Sequence, residues 1–211
     1  MKKQIVCFGD SNTWGYNAQD GSRFEEHIRW PGVLAQLLGT DFNVVEEGLS
    51  GRTAVLDDPL FEGLNGFTYL TPCLRSHSPL NIVIIMLGTN DTKERFQLTA
   101  FNIAQGIIRI AKKAQQSESG PGNNPPHVVV VCPPIIGENY VHTSIGAAMG
   151  ANCHLKSEKL PNYLEQLCHE EKIDYLDASS IPMNTTDFMH LSAEGHKLLG
   201  ELVFNKVQSI I

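Results

Sequence analysis

The sequence lacks long hydrophobic runs, clusters of basic residues and closely spaced cysteines. No stretch approaches the roughly 20 apolar residues of a transmembrane helix, so no membrane-spanning protein is expected. Lysine and arginine number 16 against 23 aspartates and glutamates, a net charge of -7, which argues against partners such as nucleic acid or an anionic membrane surface. The five cysteines are odd in number and widely spaced, which does not indicate a disulfide framework.

The sequence also lacks the signals expected of an exported protein and of a nucleotide-binding protein. The apolar run at residues 5–8 has only four residues, against roughly seven to fifteen in a signal-peptide core. We therefore expect a first β-strand there and a cytoplasmic protein. No GxGxxG follows this strand and no GxxxxGK(S/T) occurs anywhere, so no nucleotide cofactor, and no cofactor of any other kind, is expected.

What the sequence does contain is a regular alternation of short apolar segments and helical patterns. The predicted strands are residues 4–8, 43–47, 82–87, 128–132 and 174–176. Apolar residues at helical spacing occupy residues 30–38, 92–116, 155–171 and 193–207, with a further helix near Tyr69. This alternation predicts an α/β fold: a three-layer α/β/α sandwich with a five-stranded parallel sheet, formed by residues 1–211 as one domain.

Polar segments follow four of the predicted strands. They read GDSN at residues 9–12, EGLSG at 47–51, GTND at 88–91 and DFMH at 187–190. In a parallel sheet the carboxyl ends of the strands lie at one edge, and ligands of open α/β sheets bind there. Residues far apart in the sequence are therefore expected to meet at one site.

These segments supply the groups that serine-based acyl transfer needs. A serine hydroxyl needs a base to remove its proton and an acceptor that orients the base. Ser11, His190 and Asp187 provide that set of nucleophile, base and orienting carboxylate. The backbone amides of Ser11 and Gly48 and the side-chain amide of Asn90 could form an oxyanion hole.

The same residues resemble the SGNH hydrolases, also called the GDSL esterase/lipase family. The four marker residues of that family match Ser11, Gly48, Asn90 and His190 in order, and its aspartate matches Asp187. The resemblance implies a flavodoxin-like SGNH hydrolase fold, a serine ester hydrolase activity without a metal, and catalytic roles for these residues.

A closer similarity is to the aryl esterase/acyltransferase branch of that family. Trp14 follows the serine block as in that branch, and RSHSPLNIVIIMLGTND reads much like it. Asn12 departs from the motif, which has leucine there. The resemblance implies a homo-oligomeric assembly. No long apolar stretch suggests an acyl tunnel, and Trp14, Phe188 and Met189 lie near the predicted site, so we expect short-acyl aryl or alkyl esters, acetyl to butyryl, as substrates. Acyl transfer to alcohols would be a variant of the same chemistry.

Other residues near the predicted site are candidates for substrate binding. They are Asp10, Asn12, Trp14, Arg52 and Phe188. An arginine such as Arg52 more often pairs with a nearby acid. The long loops at residues 51–66 and 133–152 leave the carboxyl edge of the sheet and are placed to flank a ligand; their apolar parts could supply oligomer contacts.

Each of these residues also has a structural interpretation. Ser11 could only form a turn, Gly48 could only supply a positive φ, and Asp91 is expected to cap a helix near Thr92. His196 is expected to face solvent or cap its helix. The coincidence of four such segments at one edge favours the catalytic interpretation.

Three alternative functions stay open from the sequence. A carbohydrate acetylesterase would use the same residues, a binding module would keep the pocket without turnover, and a flavodoxin-like flavin binder would share the fold.

Cys73 and His77 lie four residues apart, as a metal-binding pair would. No second pair completes a four-ligand site, so packing is the favoured interpretation and no metal is expected.

Overall fold

The computed structural model describes residues 2–211 and is organised around one parallel sheet. Its strands are β1 (Lys3–Gly9), β2 (Phe42–Gly48), β3 (Ile82–Met86), β4 (His127–Cys132) and β5 (Asp174–Asp177). The order across the sheet is β2-β1-β3-β4-β5, with every neighbouring pair parallel. The predicted five-stranded parallel sheet is confirmed, and each predicted strand differs from the observed one by two residues at most.

In the described residues, seven α-helices connect or follow the strands. They are α1 (Ser11–Trp14), α2 (Trp30–Leu38), α3 (Gly66–Ser76), α4 (Ala100–Gln115), α5 (Gly146–Met149), α6 (Cys153–Glu171) and α7 (Ala193–Gln208). Short 3-10 helices lie at Gly39–Asp41, Asn90–Thr92, Glu94–Phe96, Pro121–Asn123 and Glu138–His142. Across residues 2–211, no helix combines the length and the apolar character needed to cross a membrane.

The sheet separates two hydrophobic cores because alternate side chains of each strand point to opposite faces. On one face Val6, Phe8 and Val83 pack with apolar residues of α3, α4 and α6. On the other face Ile5 and Cys7 pack with α2 and α7. Every residue of β3 is buried, which explains why this strand reads as a continuous apolar run.

The longest predicted helix, residues 92–116, is wrong in its first eight residues. Two 3-10 turns occupy this stretch, and α4 begins only at Ala100. Thr99 accepts a hydrogen bond from the backbone N–H of Asn102, and the Asn102 side chain accepts one in return from the Thr99 backbone N–H. This capping box fixes the true start of the helix.

The two long loops at the carboxyl edge of the sheet are tied to each other through one side chain. The guanidinium of Arg95 donates to Asp58 Oδ2 at 2.8 Å and to the carbonyl oxygen of Ala148 at 3.0 Å. Asp58 belongs to the loop after β2, and Ala148 belongs to the segment after β4. The loops are therefore held in a defined position beside the strand ends.

Candidate active site

Ser11 lies at the first position of α1, directly after β1. The carboxylate of Asp10 caps this short helix by accepting a hydrogen bond from the Asn12 backbone N–H at 3.0 Å. The helix ends after one turn because Gly15 adopts a left-handed conformation, φ 89°. The sharp strand-to-helix turn holds Ser11 at the edge of the sheet with 5% of its surface exposed.

The structure brings Ser11, His190 and Asp187 into one hydrogen-bonded chain. His190 Nε2 lies 3.0 Å from Ser11 Oγ, and His190 Nδ1 lies 2.6 Å from Asp187 Oδ2. All three residues are buried. A hydroxyl, an imidazole and a carboxylate in this order can transfer a proton away from the hydroxyl as it attacks an acyl carbon.

Asp187 is held by its own loop as well as by His190. Its Oδ1 atom accepts hydrogen bonds from Asn184 Nδ2 at 2.9 Å, from the Met189 N–H at 3.0 Å and from the His190 N–H at 3.1 Å. Burial favours the neutral acid, but the bond and charge of His190, together with the Met189 and Asn184 bonds, lower the Asp187 pKa to about 2. The carboxylate is therefore ionised at neutral pH and orients the imidazole.

Gly48 ends β2 where α1 passes close to it. A Cβ atom at this position would lie 2.2 Å from the backbone nitrogen of Trp14 and 2.6 Å from the carbonyl carbon of Thr13. Gly48 is not among the positive-φ glycines, so a tight turn does not explain it. The close approach of the two backbones requires glycine here, because any side chain would collide with the backbone of α1.

Asn90 follows β3 and is 93% buried, with 7% of its surface exposed. Its side-chain nitrogen Nδ2 has no hydrogen-bond partner in the described part of the chain. Buried amide donors are normally satisfied. Asn90 and Ser11 follow the neighbouring parallel strands β3 and β1 at the same edge of the sheet, and an unsatisfied buried N–H group there fits a donor whose acceptor arrives with the substrate.

Asn12 connects the serine turn to the histidine loop. Its Nδ2 atom donates to the carbonyl oxygen of Met189 at 3.2 Å, and its Oδ1 atom accepts from the Leu191 N–H at 2.9 Å. These two bonds enclose His190 on both sides along the chain. Asn12 stands where the family motif has leucine, and its side chain thus links the segment that carries the nucleophile to the segment that carries the base.

Two residues near the site were missed by sequence reasoning. The ring of Tyr16 lies 4.5 Å, centroid to centroid, from the imidazole of His190. Asn184 donates both to Asp187 Oδ1 and to the carbonyl oxygen of His190, at 2.9 and 2.6 Å. In the sequence, Asn184–Thr185–Thr186 matches only the N-x-(S/T) pattern of a glycosylation acceptor, whereas the hydrogen bonds of Asn184 depend on how the loop folds.

The residues suggested for substrate binding occupy different environments. Asp10 caps α1, and Trp14 is half-buried with the Arg23 guanidinium 5.2 Å above its ring. Phe188 adopts φ 59°, and its carbonyl oxygen accepts from Gly137 N–H at 2.7 Å, which ties the histidine loop to the segment after β4.

Arg52 is bonded to the protein backbone rather than to an acid. Its guanidinium donates to the carbonyl oxygens of Gly9, at 2.9 Å, and Glu47, and it stacks 4.2 Å from the Phe8 ring centroid. With 3% of its surface exposed, Arg52 joins the ends of β1 and β2. This placement favours a structural role over contact with a polar substrate group.

Two further expectations from the sequence are wrong. Asp91 does not cap a helix: both of its carboxylate oxygens accept from the Ala54 N–H, at 2.9 and 3.1 Å. His196 does not face solvent: it is completely buried, its Nδ1 atom accepts from the Trp30 N–H at 3.3 Å, and burial lowers its pKa to about 3. Both side chains instead join distant segments inside the fold.

Comparison with known proteins shows to which family the chain belongs. The chain matches the GDSL-like lipase/acylhydrolase family over residues 7–198. The structure of the M. smegmatis aryl esterase is similar, with 38% identity and a TM-score of 0.89, covering 99% of this chain and 100% of the other. No curated protein sequence matches the chain.

Two structures from Sinorhizobium meliloti are also similar. One is a carbohydrate acetylesterase with 37% identity and a TM-score of 0.90 over 100% of both chains. The other is a carbohydrate acetylesterase family member with 34% identity and a TM-score of 0.89 over 98% of both chains. The resemblance inferred from the sequence is thus confirmed: the chain belongs to the GDSL-like lipase/acylhydrolase family and is a carboxylic ester hydrolase.

Proposed function

We propose that the protein hydrolyses short-acyl esters of aryl or small alkyl alcohols through an acyl-enzyme on Ser11. The observation that carries this proposal is the continuous chain from Ser11 Oγ to His190 Nε2 at 3.0 Å and from His190 Nδ1 to Asp187 Oδ2 at 2.6 Å. The similarity to an aryl esterase supports the substrate class.

In the first half of the reaction, Ser11 Oγ attacks the acyl carbon while His190 Nε2 takes the hydroxyl proton. The negative charge that develops on the carbonyl oxygen is stabilised by the Asn90 amide and by the backbone N–H groups of Ser11 and Gly48. The tetrahedral intermediate collapses, the bond to the alcohol oxygen breaks, and His190 gives its proton to the departing alcohol.

In the second half, water attacks the acyl carbon bound to Ser11. His190 removes a proton from the water, and the second tetrahedral intermediate releases the carboxylic acid as Ser11 regains its proton from His190. Asp187 stays ionised throughout, since its pKa is lowered to about 2, and it stabilises the imidazolium that forms in both halves.

The decisive experiment compares wild type with Ser11→Ala in hydrolysis of p-nitrophenyl acetate. Loss of the nucleophile should lower kcat by roughly a million-fold, to the level set by the remaining groups. Ser209→Ala is a matched control, since Ser209 caps the far end of α7 and is exposed. Equal rates in wild type and Ser11→Ala would refute the assignment of the nucleophile.

A fluorophosphonate probe separates the enzyme from a binding module on the same fold. Wild type should incorporate one probe per chain on Ser11, and Ser11→Ala should incorporate none. A folded wild-type protein that neither reacts with the probe nor hydrolyses any ester tested would support the binding module instead.

Acyl length is tested with the acetate, butyrate and decanoate esters of p-nitrophenol. We expect acetate and butyrate to give the higher kcat/KM, because the half-buried ring of Tyr16 lies 4.5 Å, centroid to centroid, from the imidazole of His190 and limits the space beside the base. A clear preference for decanoate would contradict this part of the proposal.

The second candidate function is a carbohydrate acetylesterase, favoured by the similarity to the Sinorhizobium meliloti acetylesterase. Release of acetate from acetylated sugars with a higher kcat/KM than from p-nitrophenyl acetate would establish it. Acyl transfer is a variant of either function, and the ratio of new ester to free acid in the presence of an added alcohol measures it.

A further inference from the structure

A second cluster of side chains that could bind a metal lies between the end of β2 and α3, and it does not include Ser11. Glu47 comes from the end of β2, and Cys73 and His77 come from α3 and the residue that ends it. Their carboxylate, thiol and imidazole donor atoms all lie within 4.8 Å of one another. Within residues 2–211 this is the single group of three such donors that meets this distance.

The geometry of the cluster follows from two elements. Residues four apart on a helix share one face, which places Cys73 and His77 side by side. His77 Nε2 lies 2.7 Å from Glu47 Oε1, and the Tyr69 hydroxyl donates to Glu47 Oε2 at 3.4 Å. The sequence showed only the pair on the helix; the packing of α3 against the end of β2 adds the third donor.

We propose that Glu47, Cys73 and His77 bind one divalent transition-metal ion of the zinc class. Thiolate, imidazole and carboxylate are the three ligand types that zinc uses in proteins, and three protein ligands leave one position for water. The ion would connect α3 to the end of β2, one residue before Gly48, with water as its fourth ligand. It does not take part in the ester hydrolysis at Ser11.

Solvent access to the cluster suits a metal ion. The His77 and Glu47 side chains are 28% and 18% exposed, so an ion reaches the cluster from solvent, while Cys73 closes it from the core. Binding replaces the thiol proton: the sulfur–hydrogen bond breaks, the sulfur–metal bond forms, and one proton is released.

The competing interpretation is an ion pair between Glu47 and His77 with Cys73 packed in the core. Titration of the reduced protein with Co2+ distinguishes the two. A cobalt–thiolate bond gives a charge-transfer band in the near ultraviolet, which an ion pair cannot produce. We expect this band to saturate at one Co2+ per chain and to disappear when Zn2+ is added.

Matched variants locate the site. Cys73→Ser should lose the band, whereas Cys168→Ser should keep it, because Cys168 is an equally buried cysteine on α6 in the same core. A second variant, His77→Gln, tests the site even if Cys73→Ser fails to fold, because His77 lies at the partly exposed end of α3. It should keep the thiolate band but weaken Co2+ binding by roughly 10-fold or more.

Thermal unfolding gives a second measurement that does not depend on activity. Zn2+ should raise the melting temperature of wild type and of Cys168→Ser, but not that of Cys73→Ser. The proposal is overturned if folded wild type shows no charge-transfer band at saturating Co2+, or if Cys73→Ser keeps the band. Either result leaves the proposed ester hydrolysis at Ser11 untouched, because that reaction uses none of these three residues.

Discussion

The two sides of the candidate site differ in how completely their polar atoms are bonded. On the base side, both nitrogens of His190 and both oxygens of Asp187 have partners, and Asn184 donates to the Asp187 carboxylate. On the proposed oxyanion side, Asn90 Nδ2 is buried without a hydrogen-bond partner among residues 2–211. The base side is thus hydrogen-bonded in the free protein, whereas the proposed oxyanion side keeps a donor that, in our proposal, the substrate oxygen satisfies.

Each side of the site contains one buried aspartate, and the pKa values of the two aspartates are shifted in opposite directions. Asp187 accepts bonds from His190 and its own loop, and its pKa is lowered to about 2. Asp91, next to Asn90, is buried with a backbone donor from Ala54 and the repelling charge of Asp10 nearby, and its pKa is raised to about 7. Partners therefore decide which buried carboxyl group stays charged.

The substitution Asp187→Asn, which changes the base side, is expected to have the largest effect on kcat among the variants compared in this section. The amide would donate to His190 Nδ1 and favour the tautomer that carries its proton on Nε2, which cannot accept the Ser11 proton. We expect kcat for p-nitrophenyl acetate to fall about 10,000-fold. Asp177→Asn is the control, since Asp177 is an exposed aspartate that accepts only a turn N–H, that of Ser179. A loss smaller than about tenfold would contradict the role of Asp187.

The base side was the part of the site that the sequence predicted best. The DxxH spacing of Asp187 and His190 is local, so the turn that joins them is encoded within four residues. The continuous apolar runs of β3 and β4 are a similarly local signal, because strands buried on both faces need continuous apolar residues.

The sequence predicted less where the outcome depends on contacts between distant segments. Asp91 and His196 were misassigned because their partners, Ala54 and Trp30, lie 37 and 166 residues away. The early start predicted for α4 failed because apolar spacing continued across the two 3-10 turns at Asn90–Thr92 and Glu94–Phe96. Local patterns carry no information on such pairings.

The next effect in size comes from the oxyanion side, with Asn90→Ala. Removal of one oxyanion donor should lower kcat about 100- to 1,000-fold with a smaller change in KM. Because Asn90 Nδ2 has no partner in the part of the chain that the structure describes, its removal should leave the free energy of unfolding unchanged or raise it. Asn205→Ala, at an exposed position of α7, is the control. A large loss of stability without a loss of kcat would show that Asn90 is structural.

A third prediction concerns the connection between the two sides, which Asn12 makes. Asn12→Leu restores the residue of the family motif but removes the bonds to the Met189 carbonyl and the Leu191 N–H. Leaving these buried groups unpaired should cost about 1–3 kcal/mol of stability. A displaced His190 should lower kcat up to roughly 100-fold. Unchanged kcat and unfolding free energy would show that the two sides are positioned independently.

The smallest expected effect on turnover, and the most direct test of the contrast between the two aspartates, is Asp91→Asn. An aspartate with an unfolded-state pKa of about 3.9 that is raised to about 7 in the folded protein binds a proton in the folded state that the unfolded chain has already lost. Stability should therefore fall as the pH rises from about 4 to about 7, by at most about 1.4 kcal/mol per pH unit. Asp187, lowered to about 2, contributes in the opposite direction: its stabilisation is complete above about pH 4 and is lost as the pH falls below it.

Urea unfolding of wild type and Asp91→Asn at intervals from pH 4 to pH 8 separates these contributions. Asparagine keeps an acceptor for the Ala54 N–H and cannot ionise, so the variant should lose the decline between pH 4 and pH 7 that Asp91 produces in wild type. Both proteins should still lose stability below about pH 4, because Asp187 is unchanged in the variant. If the two curves run parallel from pH 4 to pH 7, Asp91 is ionised in the folded protein throughout that range. The oxyanion side would then hold its buried carboxylate charged as the base side does, and the difference between the two sides would reduce to the unpaired amide of Asn90.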